Sequence, residues 1–289
     1  MTDTRVRRRG ATGMRLGRRV GSALPGSPRP GRRSRSVLIA AVFGFFAVAP
    51  AASEHVPPTP DGFTELETSA RLFLRHEAWE PMVEATGRFE GEDFEFRYRS
   101  LTLGSYYRLH RNVKAGAFYR LQWGARHDDD WILLDDGGWE WEDSTDRAEQ
   151  VLIGDVTPRF LLEFMPGENW VLALKNRYFF NTFNEQQSYL IRPQLTYFWV
   201  RDRRPVLNVS AAYGLYAALN FSDQPVYERA PYIDVLYHLT DAVKVNAGLA
   251  RRTVHWSTSE DLEKAGDETY SVDQTSWLVR AGVIIRLDF

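Results

Sequence analysis

The chain has 289 residues, 44% of them hydrophobic and 13% aromatic, and it contains no Cys, so neither a disulfide framework nor a thiolate metal site can form. Its formal charge of −2 hides an asymmetry: residues 1–52 hold eleven Arg and one Asp, leaving 25 basic against 37 acidic residues beyond them. That acidic remainder excludes a nucleic-acid binder. A mean hydropathy of −0.39, with a single apolar run near the amino end, excludes a bundle of membrane helices.

Residues 1–36 are rich in Arg, Gly and Pro and lack apolar periodicity, and the apolar run from Val37 to Ala49 follows, then Pro50-Ala51-Ala52-Ser53. A basic region, an apolar core of about a dozen residues and small residues after it describe a secretory signal peptide. The expectation is a leader over 1–52, cleaved near Ala51, a periplasmic linker over 53–62 and a folded domain over 63–289.

From Phe63 onward, apolar and polar residues alternate in runs broken by turn residues, the pattern of half-buried strands. The first predicted strand takes 64–76, with Leu66, Thr68, Ala70 and Leu72 on one face and Glu67, Ser69, Arg71 and Phe73 on the other. The second takes 94–109; its opening FEFRYR reverses the phase of LTLGSYYRL, which predicts a bulge there. The third to ninth take 113–126, 148–164, 170–183, 187–200, 206–221, 230–239 and 242–256. Aromatic residues on the apolar face fall toward strand ends, among them Trp170, Tyr178, Phe180, Tyr189, Tyr197, Trp199, Tyr213, Tyr237 and Trp277.

The tenth strand is the carboxyl end itself, DQTSWLVRAGVIIRLDF. Trp277, Val279, Ala281, Val283, Ile285, Leu287 and Phe289 make one wholly apolar face that runs to the last residue. This stretch resembles the closing strand of bacterial outer-membrane β-barrels, with Arg280, Gly282, Ile285, Leu287 and Phe289 at the places of their assembly signal. Segments such as RYRSLTLGSYYRL, ALKNRYFF and YLIRPQLTYFW are also similar to the DUF2490 barrels. The resemblance implies export to the outer membrane, insertion by the barrel assembly machinery, and contact with membrane lipid and lipopolysaccharide. It implies no cofactor and leaves the oligomeric state open.

Connections after the second, fourth, sixth and eighth strands are short, whereas those after the odd-numbered strands, over 77–93, 127–147, 184–186, 222–229 and 257–272, are generally longer. Short turns at one end and long loops at the other predict an all-β fold, a closed up-and-down antiparallel transmembrane β-barrel. Ten strands place both termini at the periplasmic end, with eight or twelve as alternatives.

In that register the lumen receives Arg71, Arg75, Arg108, Lys114, Arg120, Arg126, Arg159, Lys175, Arg177, Arg192, Lys244, Arg252, Arg280 and Arg286, against Glu67, Asp155, Glu163, Asp234 and Asp288. Two readings follow: a narrow pore favouring small anions, or an interior filled by these long side chains, toward which a barrel of about ten strands tends. The outer loops carry the acidic surplus. Asp128, Asp129 and Asp130 suggest a weak cation site, although their spacing fits no calcium loop and a solvated acidic loop is the simpler expectation.

The alternative function is a hydrolase at the outer rim. Ten-stranded outer-membrane proteases, the omptins, keep Asp pairs and an Asp–His pair there, and His76, His127 and His255, with Asp128 at hand, are the candidates, although the omptin sequence blocks are absent. A barrel lipid hydrolase needs a Ser–His arrangement at the lipid-facing rim, for which His255 with Ser257 or Ser259 is the available set.

Overall fold

The structure, a computed structural model, describes residues 64–91, 95–124, 130–133, 139–142, 148–167, 169–257 and 270–289. The leader and linker lie outside these residues, as do His127, Asp128, Asp129 and Ser259.

Among the described residues thirteen strands follow one another: β1 (Thr64–Arg75), β2 (Trp79–Glu90), β3 (Glu95–His110), β4 (Val113–Trp123), β5 (Asp130–Leu133), β6 (Trp139–Glu142), β7 (Glu149–Leu161), β8 (Trp170–Asn181), β9 (Gln187–Arg201), β10 (Arg204–Ala218), β11 (Val226–His238), β12 (Val243–Ser257) and β13 (Ser271–Asp288). Strands β5 and β6 pair only with each other, in the connection between β4 and β7. The other eleven close a barrel in sequence order.

The barrel therefore has eleven strands rather than ten. The added strand is β2, where the sequence pattern predicts a loop over 77–93. It alternates as its neighbours do: Trp79, Pro81, Val83 and Ala85 are exposed on the outside, while Glu80 and Met82 are buried and Glu84 half-buried on the inside. Carboxylates directed into the barrel, together with Pro81 and Gly87, gave this segment the composition of an acidic loop. The expected bulge in FEFRYR is present as a register shift where β3 passes β2 between Tyr98 and Phe96.

An odd count fixes how the barrel closes. Every neighbouring pair is antiparallel except β1 with β13, which run parallel from Thr64 opposite Trp277 to Arg75 opposite Asp288. The start of β1 thus lies at the end opposite the last residue, which corrects the expectation that both termini share one end. Turns at 76–78, 111–112, 202–203 and 239–242, with the strand ends that flank the longer 162–169, occupy the end where β13 finishes; the strand ends that flank the connections 124–148, 219–225 and 258–270 lie at the other. Glu163 sits exposed in the 162–169 turn rather than in the lumen.

The outer surface is apolar. Trp199 and Ile233 are each 61% exposed, and Val83, Leu101, Leu103, Leu152, Val156, Ile191, Val209, Leu249, Val279, Val283 and Ile285 are exposed beside them. Aromatic rings bracket this belt: Trp79, Tyr107, Trp170, Tyr197, Trp199 and Tyr237 near the short-turn end, and Trp123, Tyr178, Phe180, Tyr189 and Trp277 near the other. Tyr213, expected with them, sits mid-strand opposite Pro231.

Inside, Phe73, Met82, Phe118, Val151 and Ile153 form a buried cluster with Tyr106, Phe179 and Ile284 against it, so side chains from seven strands meet within the barrel. Two glycines make room for its rings. A Cβ at Gly104 would stand 2.2 Å from the Ala117 carbonyl oxygen and 2.7 Å from Phe118 Cα, and one at Gly116 would stand 2.7 Å from Tyr106 Cδ1. With both absent, Tyr106 and Phe118 pack edge to face with centroids 4.7 Å apart.

Candidate functional site

The thirteen basic residues from Arg71 to Arg286 that the sequence assigns to the lumen within the described strands all share the inward register with the buried positions of their strands. Arg126 lies outside the described residues. Of the carboxylates that face them, Glu67, Asp155 and Asp234 are expected from the sequence, and Glu65, Glu80, Glu84 and Glu228 are not.

Glu65 is wholly buried at the long-connection end. Its two oxygens accept from Arg252 Nη1 at 2.8 and 2.9 Å, Ser276 Oγ donates to it at 2.8 Å, and Arg88 Nε lies 3.2 Å away. Arg252 also donates to Glu228 at 3.2 and 3.3 Å. Glu67 takes Arg88 Nη2 and Arg280 Nε, each at 3.1 Å, and Arg280 Nη1 reaches Asp234 at 3.4 Å. These bonds cross the parallel seam from β1 to β2 on one side and to β13, β12 and β11 on the other, so the weakest kind of pairing in the barrel is clamped from inside by charge-assisted bonds.

On the facing wall Asp155 accepts from Arg177 Nε at 2.9 Å and from Thr157 at 2.8 Å, with Lys175 Nζ 3.6 Å away. Arg71 pairs with Glu84 across β1 and β2. Lower in the barrel, Glu80 bridges Lys114 and Arg286, the latter at 2.8 Å. Arg192 and Arg280 each lie over the Tyr232 ring at 5.6 Å. Where the sequence reading counted an excess of cations, Glu65, Glu80, Glu84 and Glu228 restore the balance through most of the height.

Positive charge exceeds negative at the short-turn mouth, where Glu80 is shared by Lys114 and Arg286 and Asp288 lies 3.9 Å from Arg75. A cavity of about 170 Å³ there is lined by Arg75, Arg108, Arg111, Lys114, Arg159 and Arg286, with Glu80 as the carboxylate among them.

His76 and His255 do not come together, and His127 lies outside the described residues. His76 lies at the short-turn end, not the outer rim, because β1 runs the opposite way from what an even barrel requires; its Nδ1 is 3.1 Å from the Phe289 carbonyl oxygen and its ring stacks on that phenyl at 5.7 Å. His255 lies at the long-connection end on the outward face. Its Nδ1 is 2.8 Å from Asp273 Oδ1, and its Nε2 is 2.8 Å from Asp223 Oδ1 and 3.3 Å from Ser271 Oγ. Ser257, the serine expected beside it, instead accepts from the Asp223 backbone N–H at 3.4 Å. Ser271 and Asp223 were missed because they reach His255 through strand pairing and a connection, which no local spacing reveals. Asp130 belongs to the β5–β6 hairpin, and among the described residues no three His, Asp or Glu side chains are grouped to hold a metal ion.

Of the assembly-signal residues, Arg280 is tied into the lumen lattice, while Ile285, Leu287 and Phe289 are exposed outside. Gly282 faces inward against β1, where a Cβ would stand 2.5 Å from Ser69 Oγ. No protein-family model matches this chain, and no curated protein matches it.

Proposed function

We propose that this chain is an outer-membrane β-barrel of structural type, its lumen closed by an ion-pair lattice and its short-turn, basic mouth open to the periplasm. The observation that carries the reading is the inversion of inside and outside: the exposed surface is a continuous apolar belt, and the buried interior holds the charges. Water does not favour such a surface, whereas hydrocarbon does.

The dimensions support it. From Trp277 to Leu287 the outward face of β13 advances ten residues, roughly 33 Å of strand. At the usual tilt of about 40° that spans roughly 25 Å, the height of the apolar band in such barrels. The two aromatic bands then fall at the membrane interfaces, and closure leaves no backbone edge exposed to lipid.

A lattice of paired charges supports a packed interior over a conducting one. Arg252, Arg280 and Arg177 each engage carboxylates, and a cation held by a carboxylate offers an anion little. Purified protein reconstituted in a planar bilayer tests this: the expected result is a flat current record. Unitary steps with anion selectivity would overturn the closed lumen in favour of a narrow pore.

A further inference from the structure

Strand pairing brings three side chains into series on the outer face. Register sets His255 opposite Asp273 and Ser257 opposite Ser271, so Ser271 and Asp273 share a face two residues apart with the imidazole across from them. Ser271 Oγ lies 3.3 Å from Nε2, and Asp273 Oδ1 lies 2.8 Å from Nδ1. His255 is 7% exposed, which holds the ring in place, while Ser271 stays partly open to solvent.

We propose that Ser271, His255 and Asp273 form a hydrolytic site for carboxylic esters of anionic amphiphiles. Asp273 accepts the Nδ1–H and fixes the tautomer, leaving Nε2 to take the Ser271 proton as Oγ attacks the ester carbonyl carbon. The C–O bond to the alcohol breaks, and the alcohol leaves with the proton from Nε2. Water then adds to the acyl-serine, its proton passes to Nε2, and the acid departs as Ser271 regains its hydrogen. One ester and one water give one acid and one alcohol, with no redox partner.

Asp223 makes the arrangement conditional. Its Oδ1 stands 2.8 Å from Nε2, closer than Ser271, and an Nε2–H donated to Asp223 is not a base. Asp223 sits on the 219–225 connection with its side chain half exposed, so it can swing away when substrate arrives. In the form described here it restrains the site.

The substrate class rests on the membrane reading proposed above. Moving along β13 from the site, the outward residues are Thr275 and then Trp277, the ring that marks the edge of the apolar belt. Arg251 stands opposite Trp277, and Arg229 opposite Thr253. An ester whose acyl chain lies along the belt and whose headgroup carries negative charge meets all of these groups.

The test uses the full chain refolded in detergent micelles, treated with a fluorophosphonate probe and assayed on p-nitrophenyl esters. The expected result is a covalent adduct on Ser271, located by mass spectrometry, and ester turnover that falls more than about a hundredfold in Ser271→Ala. Ser105→Ala, on β3 near the short-turn end, should retain both, and Asp223→Asn should raise labelling and turnover several-fold. Heat-dependent gel mobility reports whether each variant is folded. Turnover unchanged in folded Ser271→Ala, or no adduct on Ser271 in either the parent or Asp223→Asn, would overturn the site while leaving the barrel reading intact. An adduct with equal turnover of monomeric and micellar esters would retain the triad and overturn the amphiphile substrate.

Discussion

Neutralising Glu65 is the sharpest test of the lattice that closes the barrel. In Glu65→Gln the shape remains, and a carbonyl oxygen can still accept from Ser276, but the charge that faces Arg252 at 2.8 and 2.9 Å and Arg88 at 3.2 Å is gone. Breaking one side of a buried ion pair costs about 3–5 kcal/mol, because the remaining charge stays desolvated. Arg252 keeps Glu228 and Arg88 keeps Glu67, which places the expected loss at the low end, about 3 kcal/mol. The control is Asp241→Asn, which removes a pair with Arg204 of similar length, 3.1 Å, whose side chains are 73% and 81% exposed. Such a pair contributes under about 1 kcal/mol. Equilibrium urea unfolding in lipid vesicles, followed by tryptophan fluorescence, measures both. A loss in Glu65→Gln no larger than that in Asp241→Asn would refute the claim that buried charge holds the seam.

Two further predictions concern packing and topology. Gly104→Ala places a methyl group against the Ala117 carbonyl oxygen and Phe118 Cα, at 2.2 and 2.7 Å; backbone cannot retreat as a side-chain tip can, so a loss of about 1–3 kcal/mol is expected in the same urea assay, and an unchanged midpoint would contradict the ring packing. The odd strand count sets Thr64 and Asp288 at opposite ends. On intact cells a membrane-impermeant maleimide should therefore label Thr64→Cys and spare Asp288→Cys; protection of both would restore an even barrel.

Much of this architecture was legible because a lipid-facing or core-facing strand writes its period directly into the sequence. Trp277 to Phe289 reads as one face without ambiguity, and ten barrel strands were located by that rule alone. Strand β2 escaped it because the rule assumes that acidic residues mark loops, and in a barrel with a charged interior Glu80 and Glu84 belong inside. Missing one strand reversed the inferred direction of β1 and moved His76 to the wrong end. Glu65 shares the parity of Glu67 and was readable in principle; Glu228 shares the parity of Asp234 but falls in 222–229, which the sequence assigns to a loop ahead of a strand at 230, whereas β11 begins at Val226. The rim site was half legible. His255 stood out as a titratable residue near a strand end, but its partners are set by the offset between β12 and β13 and by the course of the 219–225 connection, properties of pairing rather than of local pattern.

The absence of native Cys permits the most direct test of what covers the outer belt. Single cysteines placed along β13 at Val279, Val283 and Ile285, and at Leu278, Ile284 and Arg286 on the opposite face, would each carry an environment-sensitive fluorophore in vesicles containing nitroxide-labelled lipid. The account predicts strong quenching at the first three positions and weak quenching at the second three, alternating with each residue. Uniform quenching, or none at Val279, Val283 and Ile285, would mean that something other than hydrocarbon lies against this face.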